Sequence, residues 1–107
     1  MKEKVTLRHG DGGLHTNRLI YDIFYRHFDN EILTRYQDAA IFSLKTGRLA
    51  FTTDGFVVKP IFFPGGDIGK LAVSGTVNDL TAAGAVPFYL SAGFVIEEGF
   101  EIKELNQ

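Results

Sequence analysis

Asp67-Ile68-Gly69-Lys70-Leu71-Ala72-Val73-Ser74-Gly75-Thr76-Val77-Asn78-Asp79-Leu80-Thr81-Ala82-Ala83-Gly84 is the stretch on which the fold turns. Asp67 stands where an N-cap is needed, since a carboxylate there accepts one of the orphan N–H groups of a first helical turn. Ile68, Leu71, Ala72, Gly75, Val77 and Leu80 follow, Gly84 supplies a stop, and Pro87 cannot continue the helix. The pattern predicts a helix over residues 68–83. Its Ala72, Gly75, Ala82 and Ala83 are small, so it can lie close against a neighbouring layer. Asn78 and Asp79 fall inside this helix, where polar groups cost stability if buried without partners. They occupy a solvated face or serve a site.

Upstream, residues 56–60 read as a strand that ends in the loop Ile61-Phe62-Phe63-Pro64-Gly65-Gly66. Two further β-prone runs, 39–44 and 48–53, flank Lys45-Thr46-Gly47 as the arms of a hairpin. Near the start, 4–7 reads as a short strand, followed by His9-Gly10-Asp11-Gly12-Gly13. Leu14, Leu19, Ile20, Ile23, Phe24 and Phe28 then recur near a 3.6 spacing, which predicts a helix over 14–28. Downstream, 87–96 reads as a strand, and Glu101-Ile102-Lys103-Glu104-Leu105 begins another helix. The result is an α/β (α+β) domain: a small, mostly antiparallel sheet of three or four strands with helices on one face.

At 107 residues and 45% hydrophobic content the chain has enough material for one domain. A formal net charge of -2 and 22% charged residues give no basic field for nucleic acid or an anionic membrane. The first residues, Met1-Lys2-Glu3-Lys4-Val5, lack the apolar run of a signal peptide, and no stretch has the length and apolarity of a membrane span. With no cysteine, disulfides, thiolate metal sites and cysteine nucleophiles are excluded within these residues, and a cytoplasmic location is expected. Ten phenylalanines are many for a core this small. The unpaired edges and apolar face of such a sheet call for cover by a second copy or a further domain. The last helix, anchored only by Ile102 and Leu105, is too short to stand alone, so the chain reads as a fragment of a longer protein.

Three features can carry chemistry. The glycine-rich segment before the first helix, with Gly10, Gly12 and Gly13, offers backbone N–H groups to a phosphate, although glycine-rich turns before helices are common without one. Asp38, Asp54 and Asp79 can converge on Mg²⁺ from separate elements; for Asp38 and Asp54 the alternative is ordinary turn chemistry. Lys59, between apolar neighbours, either contacts a phosphate or protects a strand edge.

Read together, the motifs resemble a family. The run from Phe51-Thr52-Thr53-Asp54-Gly55-Phe56-Val57-Val58-Lys59-Pro60 through Pro64-Gly65-Gly66-Asp67-Ile68-Gly69-Lys70, followed by Gly75-Thr76-Val77-Asn78-Asp79-Leu80, is similar to the signature of the HypE hydrogenase maturation proteins. Residues 9–13, Gln37-Asp38-Ala39-Ala40, Tyr89-Leu90-Ser91-Ala92-Gly93-Phe94 and Glu97-Glu98-Gly99-Phe100 extend the likeness over nearly the whole chain. These proteins share a superfamily with aminoimidazole ribonucleotide synthetase, selenophosphate synthetase and thiamine-monophosphate kinase. The resemblance implies an ATP-binding N-terminal domain that builds a β-barrel by dimerisation.

It also implies a reaction. A carboxamide placed by HypF on a C-terminal cysteine is dehydrated with ATP to a thiocyanate, and the cyanide passes to iron on a HypC–HypD complex for the ligands of [NiFe]-hydrogenase. Phosphorylation turns the amide oxygen, a poor leaving group, into a good one. By position, the resemblance makes Asp38, Asp54 and Asp79 the Mg²⁺ and phosphate ligands, with Thr76 and Asn78 in support. Lys59 and the backbone of Gly10, Gly12 and Gly13 become phosphate contacts. Asp11 departs from the pattern, which favours serine there, and its charge opposes a triphosphate. Because these residues contain no acceptor cysteine, they are expected to be inactive by themselves. Two other readings are a different ATP-using kinase or synthetase of the superfamily and a non-catalytic dimerisation module.

Overall fold

The computed structural model describes residues 3–44 and 47–107. Two compact units divide the chain: Met1–Leu44 with Gly93–Gln107, and Lys45–Ala92.

The first unit is closed by backbone hydrogen bonds between its two segments. Val5 N donates to Phe100 O and Gly99 N to Val5 O, both at 2.7 Å, and Ile102 N donates to Glu3 O at 3.1 Å. Lys4 faces Glu101 in an isolated antiparallel bridge. The strand expected over 4–7 is reduced to this bridge, because Leu7 already enters a 3-10 turn, Leu7–Gly10. Val5, 5% exposed, and Ile23, 7% exposed, are the buried hydrophobic residues among those described.

Helix is continuous from Leu14 to His27, as its periodicity predicts, but it is not uniform. α1 (Leu14–Leu19) runs into a π-helical turn, Ile20–Phe24, before α2 (Tyr25–His27). Residues four apart share a helix face. Tyr21 and Tyr25 pack on each other and on Tyr36, with centroids 5.2 to 5.3 Å apart. Phe24 and Phe28 meet Phe94 instead, at 4.7 and 6.4 Å. Further along, His27 Nε2 lies 2.9 Å from Asn106 Oδ1, joining α2 to the terminal helix, Ile102–Asn106, which forms where the sequence starts one.

In the second unit, β1 (Phe62–Phe63) and β2 (Gly66–Asp67) pair antiparallel around Pro64-Gly65, with Phe62 opposite Asp67 and Phe63 opposite Gly66. This hairpin lies in the stretch read as a loop. Pairing there needs only local closure, whereas longer strands must first bring distant residues together. Helix α3 (Ile68–Ala82) follows at once. Asp67 Oδ1 accepts from Lys70 N at 2.8 Å, the N-cap expected from the sequence. At the other end Gly84, with φ +79°, sits past the cap residue Ala83. Gly84 N donates to Thr81 O and Ala85 N to Leu80 O, both at 2.9 Å, a Schellman closure that satisfies two orphan carbonyls.

The expected three- or four-stranded sheet is corrected to this two-stranded one. The described parts of 39–44, 48–53, 56–60 and 87–96 belong to no strand. Lys45 and Thr46 of the expected hairpin turn lie outside the described residues. Apolar β-formers become strands only when ladder partners satisfy their backbone groups along a run, and no local pattern in these stretches specifies that pairing. Several of their side chains stay open to solvent: Phe51 is 81%, Val57 91% and Phe88 82% exposed.

The hydrogen bond from Lys70 N to Asp67 is testable in isolation. Asp67→Ala should lower stability by about 1 kcal/mol, and Asp67→Asn should restore most of it, read as denaturation midpoints followed by helical circular dichroism.

Candidate functional site

The glycine-rich segment is held by its own neighbours. Gly12 N donates to Thr16 Oγ1 at 2.9 Å, and Gly13 N donates to Asp11 Oδ1 at 2.8 Å. The carboxylate of Asp11 thus takes the place at the start of α1 that an anionic ligand would take. The charge conflict raised by the sequence has a structural form: Asp11 is the loop's internal anion.

Beside this segment, Thr6, Leu7, Arg8, His9, His15 and Glu98 line an open depression of about 470 Å³ in the first unit. His9 is fixed there because Thr6 N donates to its Nδ1 at 2.8 Å, and its ring meets that of His15 edge-on at 6.0 Å. Leu7 N donates to Glu98 Oε2 at 3.3 Å. Sequence reasoning took His9 only as the edge of the glycine-rich segment and passed over the flanking Arg8 and His15. The signal for them was local, since three cationic or imidazole side chains surround one glycine-rich turn. Glu98, 91 positions from Leu7, had no such signal.

The remaining predicted residues are divided between the units. Asp38 belongs to the first; Asp54, Lys59, Thr76, Asn78 and Asp79 belong to the second. Asp54 is exposed, and its Oδ1 accepts from Gly55 N at 2.8 Å, so the local turn uses one of its two oxygens. Lys59 is exposed and precedes a cis peptide bond to Pro60. Asn78 and Asp79 are exposed and Thr76 half-buried on α3. Asn78 and Asp79 thus lie on an open helix face, where they cost no desolvation.

Among the described residues no three His, Cys, Asp or Glu side chains form a metal-holding group. The donor chemistry nevertheless fits Mg²⁺, which takes oxygen ligands and keeps several waters, so one or two carboxylates serve it together with nucleotide phosphates. Within the second unit a packing contact links two of the carriers. The ring of Phe56, two residues after Asp54, rests on Gly75, one helical turn before Asp79.

No helix among the described residues is long and apolar enough to cross a membrane.

Residues 36–107 match the family described as AIR synthase related protein, N-terminal domain. The chain is 53% identical over 104 residues to the carbamoyl dehydratase HypE of Rhizobium leguminosarum bv. viciae, covering 97% of this chain and 30% of that protein. It is 45% identical over 107 residues to the carbamoyl dehydratase HypE of Escherichia coli (strain K12), covering 95% and 32%. Among solved structures, the crystal structure of hydrogenase maturation protein HypE in complex with ATP is similar with a TM-score of 0.67 at 59% identity, over 71% of this chain and 22% of that one. The chain therefore spans about a third of the length of these curated relatives.

Proposed function

The chain belongs to the AIR synthase related family through its N-terminal domain, and from that membership we propose that it is the ATP-binding, dimer-forming N-terminal part of a carbamoyl dehydratase acting in the cytoplasm. One observation carries this reading: the 59% identity to a HypE whose structure holds ATP. In the proposed reaction the oxygen of a cysteine S-carboxamide attacks the terminal phosphorus of ATP and ADP departs. Loss of inorganic phosphate and of the nitrogen's protons then leaves a thiocyanate, the source of the cyanide ligands. The chain has no cysteine, so the acceptor thiol is supplied from outside these 107 residues. HypF would load that thiol, and a HypC–HypD complex would take the cyanide.

Each predicted residue has a task in this scheme. Asp38, Asp54 and Asp79 would hold Mg²⁺, with Thr76 and Asn78 as supporting oxygen donors. The ion's contribution is to neutralise charge on the transferred phosphoryl group. Lys59 brings a point charge to the phosphates, and the N–H groups around Gly10, Gly12 and Gly13 bring dipoles. Asp11 must turn away for the loop to do so.

Dimerisation is supported by the exposed apolar side chains of 48–58 and 86–95. Exposed β-prone apolar stretches of this kind are the surface a second copy would cover, in a barrel shared between the two.

Three outcomes are expected. Sedimentation at micromolar concentration should report twice the 11.9 kDa chain mass, and a clean monomer would remove the dimer from the scheme. Asp79→Asn should weaken Mg-ATP binding by about ten-fold with melting unchanged, as measured by calorimetry, since one charged ligand contact is worth roughly 1.5–3 kcal/mol. Asp11→Ser, by freeing the loop of its internal anion, should raise ATP affinity several-fold in low salt; equal or lower affinity would count against a phosphate role for the loop.

A further inference from the structure

We infer that Gly75 and Phe56 are positioning residues for the metal-dependent part of the nucleotide site. The aromatic ring seated on the bare Cα of Gly75 sets where the Asp54 segment lies against the face of α3 that carries Asn78 and Asp79. The inference rests on the nucleotide-binding reading above.

Its starting point is a closeness that a side chain would forbid. A Cβ added to Gly75 would stand 2.7 Å from both Cε1 and Cζ of Phe56, closer than real Cβ contacts come. The other glycine of α3, Gly69, would meet only the capping oxygen Asp67 Oδ1, at 3.3 Å. A glycine in mid-helix costs stability relative to alanine, because it gives up more backbone freedom on folding. At Gly75 that cost is offset by the approach of the ring. Phe56 and Gly75 are both half-buried, whereas the flanking Gly55 and Val57 are exposed, so the ring is the anchor of its segment.

The anchor lies where it can act on the proposed ligands. Gly75, Asn78 and Asp79 are spaced i, i+3 and i+4, which places them on one helix face. Helical side chains lean towards the N-terminus, so Asp79 covers the turn on which Phe56 rests. On the other side of the contact, Asp54 is two residues from Phe56, so their Cα atoms are at most about 7 Å apart. Sliding or lifting the ring moves Asp54 relative to Asp79. Neither Phe56 nor Gly75 offers a ligand atom of its own kind to a metal, so their influence on it runs through this spacing alone.

A double-mutant cycle on the 107-residue chain tests this. Gly75→Ala, Phe56→Leu and the double variant are compared with the wild type for ATP affinity by calorimetry, in Mg²⁺ and in chelator, with melting curves as the check on folding. The quantity read is the gain in affinity on adding Mg²⁺, which a loss of general stability does not change. Gly75→Ala should lose about ten-fold of that gain, since a shift near 1 Å in a ligand set has consequences of this order or larger. Affinity in chelator should be nearly unchanged. The double variant should lose no more than Phe56→Leu alone, because alanine at 75 acts only through the ring. Losses that multiply, or a wild-type gain in both single variants, overturn the inference. If Gly75→Ala does not fold, Phe56→Leu decides: a reduced gain supports it and an unchanged gain overturns it. A wild-type chain without any Mg²⁺-dependent affinity overturns the nucleotide reading itself, and this inference with it.

Discussion

Apolar side chains in this protein outnumber the places its two units provide to bury them, and most other features follow from that imbalance. A buried aromatic or branched aliphatic side chain contributes about 1.5–3 kcal/mol. Among the described residues, however, the buried hydrophobic positions are only Val5 and Ile23. Phe51, Val57, Phe88 and Val95 stand in the open instead. Each unit therefore relies on directional contacts: the backbone bonds around Val5 in the first, and the capped and closed helix α3 in the second. What those bonds leave uncovered is the surface on which association with another copy would draw.

The helical part of the fold was legible in the sequence because its determinants are local. Asp67 and Gly84 bracket α3 with chemistry confined to one turn at each end, and the structure follows them within a residue. The run from Leu14 declared its helix by periodicity, but the π-helical turn at Ile20–Phe24 has no comparable mark in that periodicity. Strands were the opposite case. The same β-prone residues that announced a hairpin at 39–53 need partners that no local pattern specifies, while the two-residue hairpin at Phe62–Phe63 was concealed by a glycine-rich stretch that looked like a loop.

Of the site, the sequence revealed residue types better than surroundings. It marked Asp11 as a misfit in the glycine segment, and the structure shows why the segment tolerates it: the carboxylate accepts the N–H of Gly13. It marked Asn78 and Asp79 as too polar for an apolar helix, and their exposure removes the conflict. The contacts of His9 and Glu98 went unread because their partners are backbone N–H groups, at Thr6 and at Leu7, and the second is visible only once the chain has folded back.

The closure of the first unit has a consequence for how the chain comes into being. Its two segments are contributed from either side of residues 45–92, with Leu7 bonded to a residue 91 positions away. During synthesis, the second unit has been assembled in sequence before Phe100 exists to receive the amide of Val5. Its hairpin, cap and helix use neighbours only, so it can form early, whereas the first unit must wait and then pay the entropy of a long loop. Until that moment Val5 and Ile23 lack their final surroundings. Until residues 93–107 return to it, the first part of the growing chain is therefore the part most open to misassociation.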